Sequence, residues 1–220
     1  MNSDFFDWLK VLYAADSLEG VTDEEIGYMK ELFGALPRVV EEFYRKAARS
    51  DVLHHGQDHW LLPEDFKKSE WLRKLDCLIL LNENQGVFRA GIRREDLAKN
   101  DPPVYITDDD KKWKLCADST TEFLYAMMAY EAVFSYEYFP EEFYCITEKE
   151  LAELDRKLTR LPYEVHGWFG ERLLLFSNAE DNMVQVMDLG GGDLQMLFGA
   201  ATEESYLEIM DVVEGIGEPL

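Results

Sequence analysis

Basic side chains are scarce in this chain: 22 Lys and Arg stand against 45 Asp and Glu, a formal net charge of -23 at pH 7. A field of that sign repels phosphate backbones and anionic lipid surfaces, which excludes nucleic acid and membrane as expected partners and favours a basic protein surface. Cysteine is scarce too. Cys77, Cys116 and Cys145 are odd in number, far apart and form no CxxC pair, so neither a disulfide framework nor a zinc site is signalled. Buried thiols in a reducing compartment are the expectation. No segment reaches the roughly 18 apolar residues of a membrane helix. The opening MNSDFFDWLK carries Asp4 and Asp7 where a secretory leader has basic residues. The expected compartment is the cytoplasm.

What the chain does have is apolar mass. Its 220 residues are 47% hydrophobic and 13% aromatic, enough for one folded domain with a real core rather than a disordered segment. Phe5, Trp8, Leu9 and Leu12 recur at helical spacing, and Thr22 with Glu25 makes a capping box ahead of Ile26, Met29, Leu32 and Phe33. Gly34 stops that helix, and Pro37 opens another that carries Val39, Val40, Phe43, Tyr44 and Ala47. From Leu75 the period becomes two: Leu75, Cys77, Ile79 and Leu81, then Phe88, Ala90 and Ile92, read as a hairpin with one wet face. Pro102 and Pro103 cannot donate to a ladder, so Val104 to Ile106 enters the sheet at an edge or a strand start.

Ser119 with Glu122 introduces a further helix that buries Phe123, Leu124, Met127, Met128 and Ala132, and Pro140 breaks the acidic, aromatic connector that follows. Thr147 and Glu150 cap the next helix. RLLLFSN, MVQVMDL and DLQMLFGA then read as a meander of three short strands, and Thr202 opens a last helix with Tyr206, Leu207, Met210 and Val213 turned inward. Strands in clusters between helices define an α+β protein with an antiparallel or mixed sheet flanked by helices. It is read as one domain over residues 1–220, with a division into sublobes near 135–147 as the alternative.

Candidate chemistry is thin. His55 and His59 stand four apart, as metal-binding pairs on helices do, but Gly56 interrupts them and no catalytic glutamate accompanies them. LGGGDL precedes a strand rather than a helix, which fits a hairpin turn and not a phosphate cradle. There is no GxSxG, His166 is an isolated imidazole, and Trp60, Phe66 and Trp71 read as core aromatics. No metal or cofactor is expected, and no enzyme. A carboxylate hydrolase is the disfavoured alternative, to be revived by an acid pair in a deep cleft with strongly shifted pKa values.

One set of motifs is more telling in combination than piece by piece. Leu36-Pro37 before a helix with Phe43-Tyr44, ENQGV at residues 83–87, DPPVY at residues 101–105, and Trp113 followed by TEFL at residues 121–124 resemble the SUKH superfamily. The resemblance is clearest over residues 36–130, and it departs from the pattern at Phe88, where a tryptophan is expected on the strand. It implies a central antiparallel sheet with flanking helices. It also implies a common role as an immunity protein that binds and neutralises a cognate bacterial toxin, often a nuclease. A regulatory or scaffold module of the same fold is the alternative. Leu36, Pro37, Asn84, Gln85, Gly86, Asp101, Pro102 and Pro103 are then structural motif residues. The expected partner contacts are exposed acids and a tyrosine in TDDD and SYEYFPEE, namely Asp108, Asp109, Asp110, Glu137, Tyr138, Glu141 and Glu142.

Overall fold

The computed structural model describes residues 3–168 and 170–220. Helices α1 (Ser3–Leu12), α2 (Asp23–Phe33), α3 (Arg38–Lys46), α4 (Pro63–Lys68) and α5 (Glu70–Lys74) precede and surround an antiparallel sheet. That sheet runs in spatial order β1 (His59–Trp60), β2 (Cys77–Asn82), β3 (Arg89–Arg93), β4 (Val104–Thr107) and β5 (Lys114–Ala117). Helix α6 (Thr120–Ser135) then leads to a second sheet. Its strands are β6 (Tyr144–Ile146), β7 (Thr159–Arg160), β8 (Arg172–Ser177), β9 (Asn182–Gly190), β10 (Asp193–Ala200) and β11 (Glu218–Pro219). They lie in the order β11-β6-β10-β9-β8-β7, with α7 (Glu148–Lys157) and α8 (Glu203–Val213) packed on them. Every strand pairing is antiparallel, so the fold is α+β.

The helix starts follow local chemistry. Thr22 accepts from the Glu25 N–H while its own N–H donates to the Glu25 carboxylate, and Thr147 and Glu150 repeat the arrangement. Ser119 and Thr202 accept from backbone N–H groups three residues on. Gly34, at φ 81°, closes α2 in a left-handed turn that costs other residues more.

Alternation along β8, β9 and β10 serves two cores at once. Leu173, Leu175, Met183, Met187 and Leu197 join the large cluster that contains α6 and the first sheet. Their neighbours Leu174, Phe176, Val184, Val186 and Met196 join a second cluster with Leu151 and Leu154 of α7 and Ile209 and Val213 of α8. Successive side chains point to opposite faces of a strand, so a sheet covered on both sides needs an unbroken apolar run. Between the sheets, the crossover after β7 acts as a clasp: the His166 N–H donates to Cys116 of β5 at 3.0 Å, and the Leu173 N–H donates to Val165 at 2.9 Å.

Four expectations need correction. The hairpin of β2 and β3 has no fully wet face, because Leu78 and Leu80, expected to face water, are buried with Cys77, Ile79 and Leu81 in the large cluster, and Gly91 of β3 is buried too. Leu207 and Met210 point outward at 56% and 41% exposure, since Ser205, Ile209 and Val213 form the buried stripe of α8. Trp71 is 43% exposed and lies beneath the Arg89 guanidinium at 4.8 Å, a cation–π contact and not core packing. Cys145 is exposed on β6, unlike Cys77 and Cys116. Also, β4 is an interior strand, and Pro103 marks its start.

Candidate functional site

A cleft of about 340 Å³ opens where the clasp meets the first sheet. Phe88, Ile106 and the half-exposed Leu115 supply apolar surface, while Asp108 and Lys112 from the β4–β5 turn, Lys114 at the start of β5, and His166 and Glu171 from the clasp supply charge. The three aspartates of that turn have separate tasks. Asp109 Oδ1 accepts from the Lys112 N–H at 2.7 Å and the Lys111 N–H at 2.9 Å, bonds that hold its carboxyl below the ordinary range. Asp110 adopts a left-handed conformation, φ 61°, and pairs with Arg89 at 3.0 Å. Asp108 is the one that faces the cleft.

The other expected contacts hang from the second sheet. Glu137, Glu141 and Glu142 are exposed in the connector between α6 and β6, and Tyr138 is tied down by the Ala200 N–H, which donates to its carbonyl at 2.9 Å. A row of rings leads on from it: Tyr138 to Tyr206 at 6.3 Å, Tyr206 stacked on Phe198 at 6.0 Å, and Phe198 to Tyr144 at 5.8 Å. Residues 108–110 and 137–142 therefore belong to different sheets, one beside the cleft and one beside α8.

The motif residues hold the scaffold together. The Val39 N–H donates to Asn100 at 3.2 Å, Asp101 Oδ1 accepts the Thr121 N–H at 2.9 Å, and Thr120 donates to the Pro102 carbonyl at 2.7 Å. The DPP turn thus fastens the start of α3 to the start of α6, with Leu36 and Pro102 buried. In the ENQGV turn the side chain that organises the backbone is Glu83. One carboxylate oxygen accepts from the Gln85 and Val87 N–H groups, each at 3.0 Å, and Gly86 turns the chain at φ 73°.

Beneath this turn lies a group of acids that sequence reasoning missed. Glu131 of α6 is fully buried and accepts the Asp58 N–H at 3.0 Å, and Asp58, 5% exposed, accepts from the Trp168 indole at 2.9 Å and the Asn84 N–H at 3.1 Å. Burial, then the like charge of Asp58, pushes the Glu131 carboxyl well above the ordinary carboxylate range. Burial also raises Asp58 to about 6, against the pull of Trp168, Glu131 and Asn84. Gly56 makes room for the pair, since a Cβ there would lie 2.2 Å from Glu131 Oε2. The sequence did hold one signal: Glu131 is the sole charge between Phe123 and Ser135, on a helix apolar all round.

This is an acid pair with shifted pKa values, but it is sealed in the core and lines neither the cleft nor the surface beside α8. The histidines of LHHGQDHW diverge. His54 bonds the Ala48 carbonyl, His55 faces Asp51 at 3.2 Å, and His59 faces Asp65 at 3.6 Å, which raises the His59 pKa. Among the described residues no three His, Cys, Asp or Glu side chains are grouped to hold a metal ion, and no helix is long and apolar enough to cross a membrane. The glycines of LGGGDL form the β9–β10 hairpin turn. Comparison with protein-family profiles, curated proteins and solved structures finds no match.

Proposed function

We propose that this chain is a non-enzymatic, cytoplasmic immunity protein of the SUKH type, which binds a cognate toxin with a basic surface and blocks its active site or substrate path. The observation that carries this reading is the distribution of charge. From Leu173 to Leu220 there are ten Asp and Glu and no Lys, Arg or His. Asp188 pairs with Arg172, and the exposed acids of α8 leave an acidic surface that raises the encounter rate with a basic partner and orients it; nucleic-acid-degrading enzymes are basic where their substrate binds. The burial of the Asp58–Glu131 pair supports a binding role over a hydrolase, because a general acid must reach hydrogen-bond distance of a substrate.

The test is co-expression with the product of the neighbouring gene, together with a pull-down of the two proteins. Protection of the host with formation of a stoichiometric complex is expected. A neighbouring product that is harmless, or toxicity unaffected by this chain, sinks the reading. Capture of a harmless endogenous protein instead favours the regulatory or scaffold module.

A further inference from the structure

A shallow groove of about 240 Å³ runs beside α8, with Tyr144 of β6, Phe198 of β10, Val213 and Ile216 as its apolar surface. Met210 stands at its rim with Asp211 and Glu214, both exposed, and among the described residues no cation lines it. One turn earlier Leu207 projects into solvent, flanked by the exposed Glu203, Glu204 and Glu208. Lys157 of α7 comes near, but its ammonium is already engaged by the Val212 carbonyl and by Glu153, each at 2.9 Å. The row of rings from Tyr138 ends in this groove, so the acidic connector lies alongside it.

Large apolar side chains left in solvent within a rim of one sign of charge mark a surface that another protein covers. The sheet edge next to it is a poor template for an added strand. Strand β11 has two residues, Pro219 has no N–H to give, and the Leu220 N–H is already donated to Phe143. The remaining mode is a helix laid along the groove.

We infer that this groove is the docking site for an amphipathic helix of a basic protein. A large apolar side chain of that helix seats against Phe198, Val213 and Ile216, and its Lys or Arg side chains meet Asp211, Glu214 and the outer acids of α8. The inference rests on the reading of a basic protein partner given above and names the face that meets it. Charge complementarity assigns the occupant: a neutral apolar segment would fill the groove but leave the acids unopposed, and an acidic one would be repelled.

Amide NMR of the full chain, titrated with a synthetic helical peptide of Leu and Lys at amphipathic spacing, tests this directly. Shifts centred on Tyr144, Phe198 and residues 207–217 are expected. Asp211→Lys with Glu214→Lys should weaken binding by about tenfold or more, whereas Asp108→Lys with Glu171→Lys, the same charge change at the cleft, should weaken it far less. A Leu and Glu peptide should not bind. Shifts scattered over the acidic surface, or equal losses in the two double variants, overturn the groove. The two readings also fail separately. Toxin protection that survives Asp211→Lys with Glu214→Lys removes the groove and leaves immunity standing, while groove binding without protection against any neighbouring product does the reverse.

Discussion

Glu41 on α3 and Glu208 on α8 are both helix-surface glutamates, yet they sit in opposite electrostatic settings. Glu41 is held by Lys30 at 2.7 Å and by Arg45 at 3.0 Å, and these partners, Lys30 foremost, lower its pKa. Around it Arg49 bridges Glu25 and Glu64, Arg38 pairs with Glu42, and Arg89 pairs with Asp110. The region before α6 thus pairs many of its acids locally, with 17 Lys and Arg against 24 Asp and Glu. After Arg172 the chain offers no cation at all, and the acids of α8 face solvent and one another. Such repulsion works against the compact state and is tolerated where a partner supplies the missing charge. One part of the molecule therefore neutralises many of its acids internally, and the other is left electrostatically open.

The comparison can be broken hardest at the core that both regions share. Gly56→Val drives a side chain into the Glu131 carboxyl and should cost about 2–4 kcal/mol, read as a lower urea midpoint; an unchanged midpoint would mean the acid pair is loosely held. The second effect is a pH dependence. Burial raises the folded-state pKa values of Asp58 and Glu131 above their unfolded values, so the folded chain binds those protons more tightly. The stability they contribute is present at low pH. It is lost as the pH rises through about 6 for Asp58, and the raised Glu131 carboxyl adds a loss of the same sign. Unfolding measured between about pH 5 and pH 8 should show a decline of about 1–3 kcal/mol, and Glu131→Gln, which removes one of the two carboxyls and keeps the shape, should leave only the part that the burial of Asp58 carries. His59, raised by Asp65, adds a smaller decline of the same sign that the variant leaves in place.

Gly86→Val comes third, at about 1–3 kcal/mol, because the ENQGV turn needs the left-handed conformation and a β-branched residue resists it. Loss of partner binding at unchanged stability would instead make this turn a contact loop. Charge reversals at the exposed Glu137 and Glu141 touch association rather than folding, whereas Asp109→Lys also removes the acceptor of two backbone N–H bonds in its turn. If the connector meets the partner, the Glu137 and Glu141 variants slow binding in stopped-flow experiments and Asp109→Lys, in the other region, does so less, with the difference fading at high salt. The smallest expected effect is on α8 itself, where Glu204→Lys with Glu208→Lys should change stability by about 0.5 kcal/mol or less, upward at low salt. The same reversal at Glu41 should lower it, since two cations lose their partner.

Much of the fold was legible because its signals are local. The capping serines and threonines, the stop at Gly34, the start of β4 after Pro103 and the three-strand meander each follow from a few neighbouring residues. The exposed faces were harder to read. Leu207 and Met210 fit a helical stripe as well as Ile209 and Val213 do, and only the position of α8 on its sheet decides which stripe is covered. Leu78 and Leu80 looked free to face water because alternation shows that a strand has two faces, not how many of them another layer will bury. Of the expected contact residues, Asp108 lines a cleft and Tyr138 of the connector meets Tyr206 of α8, but Asp109 and Asp110 are occupied within their own turn.

By itself the sequence determined the elements and the sign of the field. Helix caps, turn glycines, apolar period and an excess of acids act through the backbone within a few residues or through total charge, and neither needs a neighbour brought from afar. Only the tertiary structure decided which acids stand alone. It carried Asp58 and Glu131, 73 residues apart, into one buried site that raises the pKa of both carboxyls, and it set the exposed acids of the cation-free segment after Arg172 beside an apolar groove. Burial and charge pairing depend on distances across the chain, and those exist only once the layers have packed.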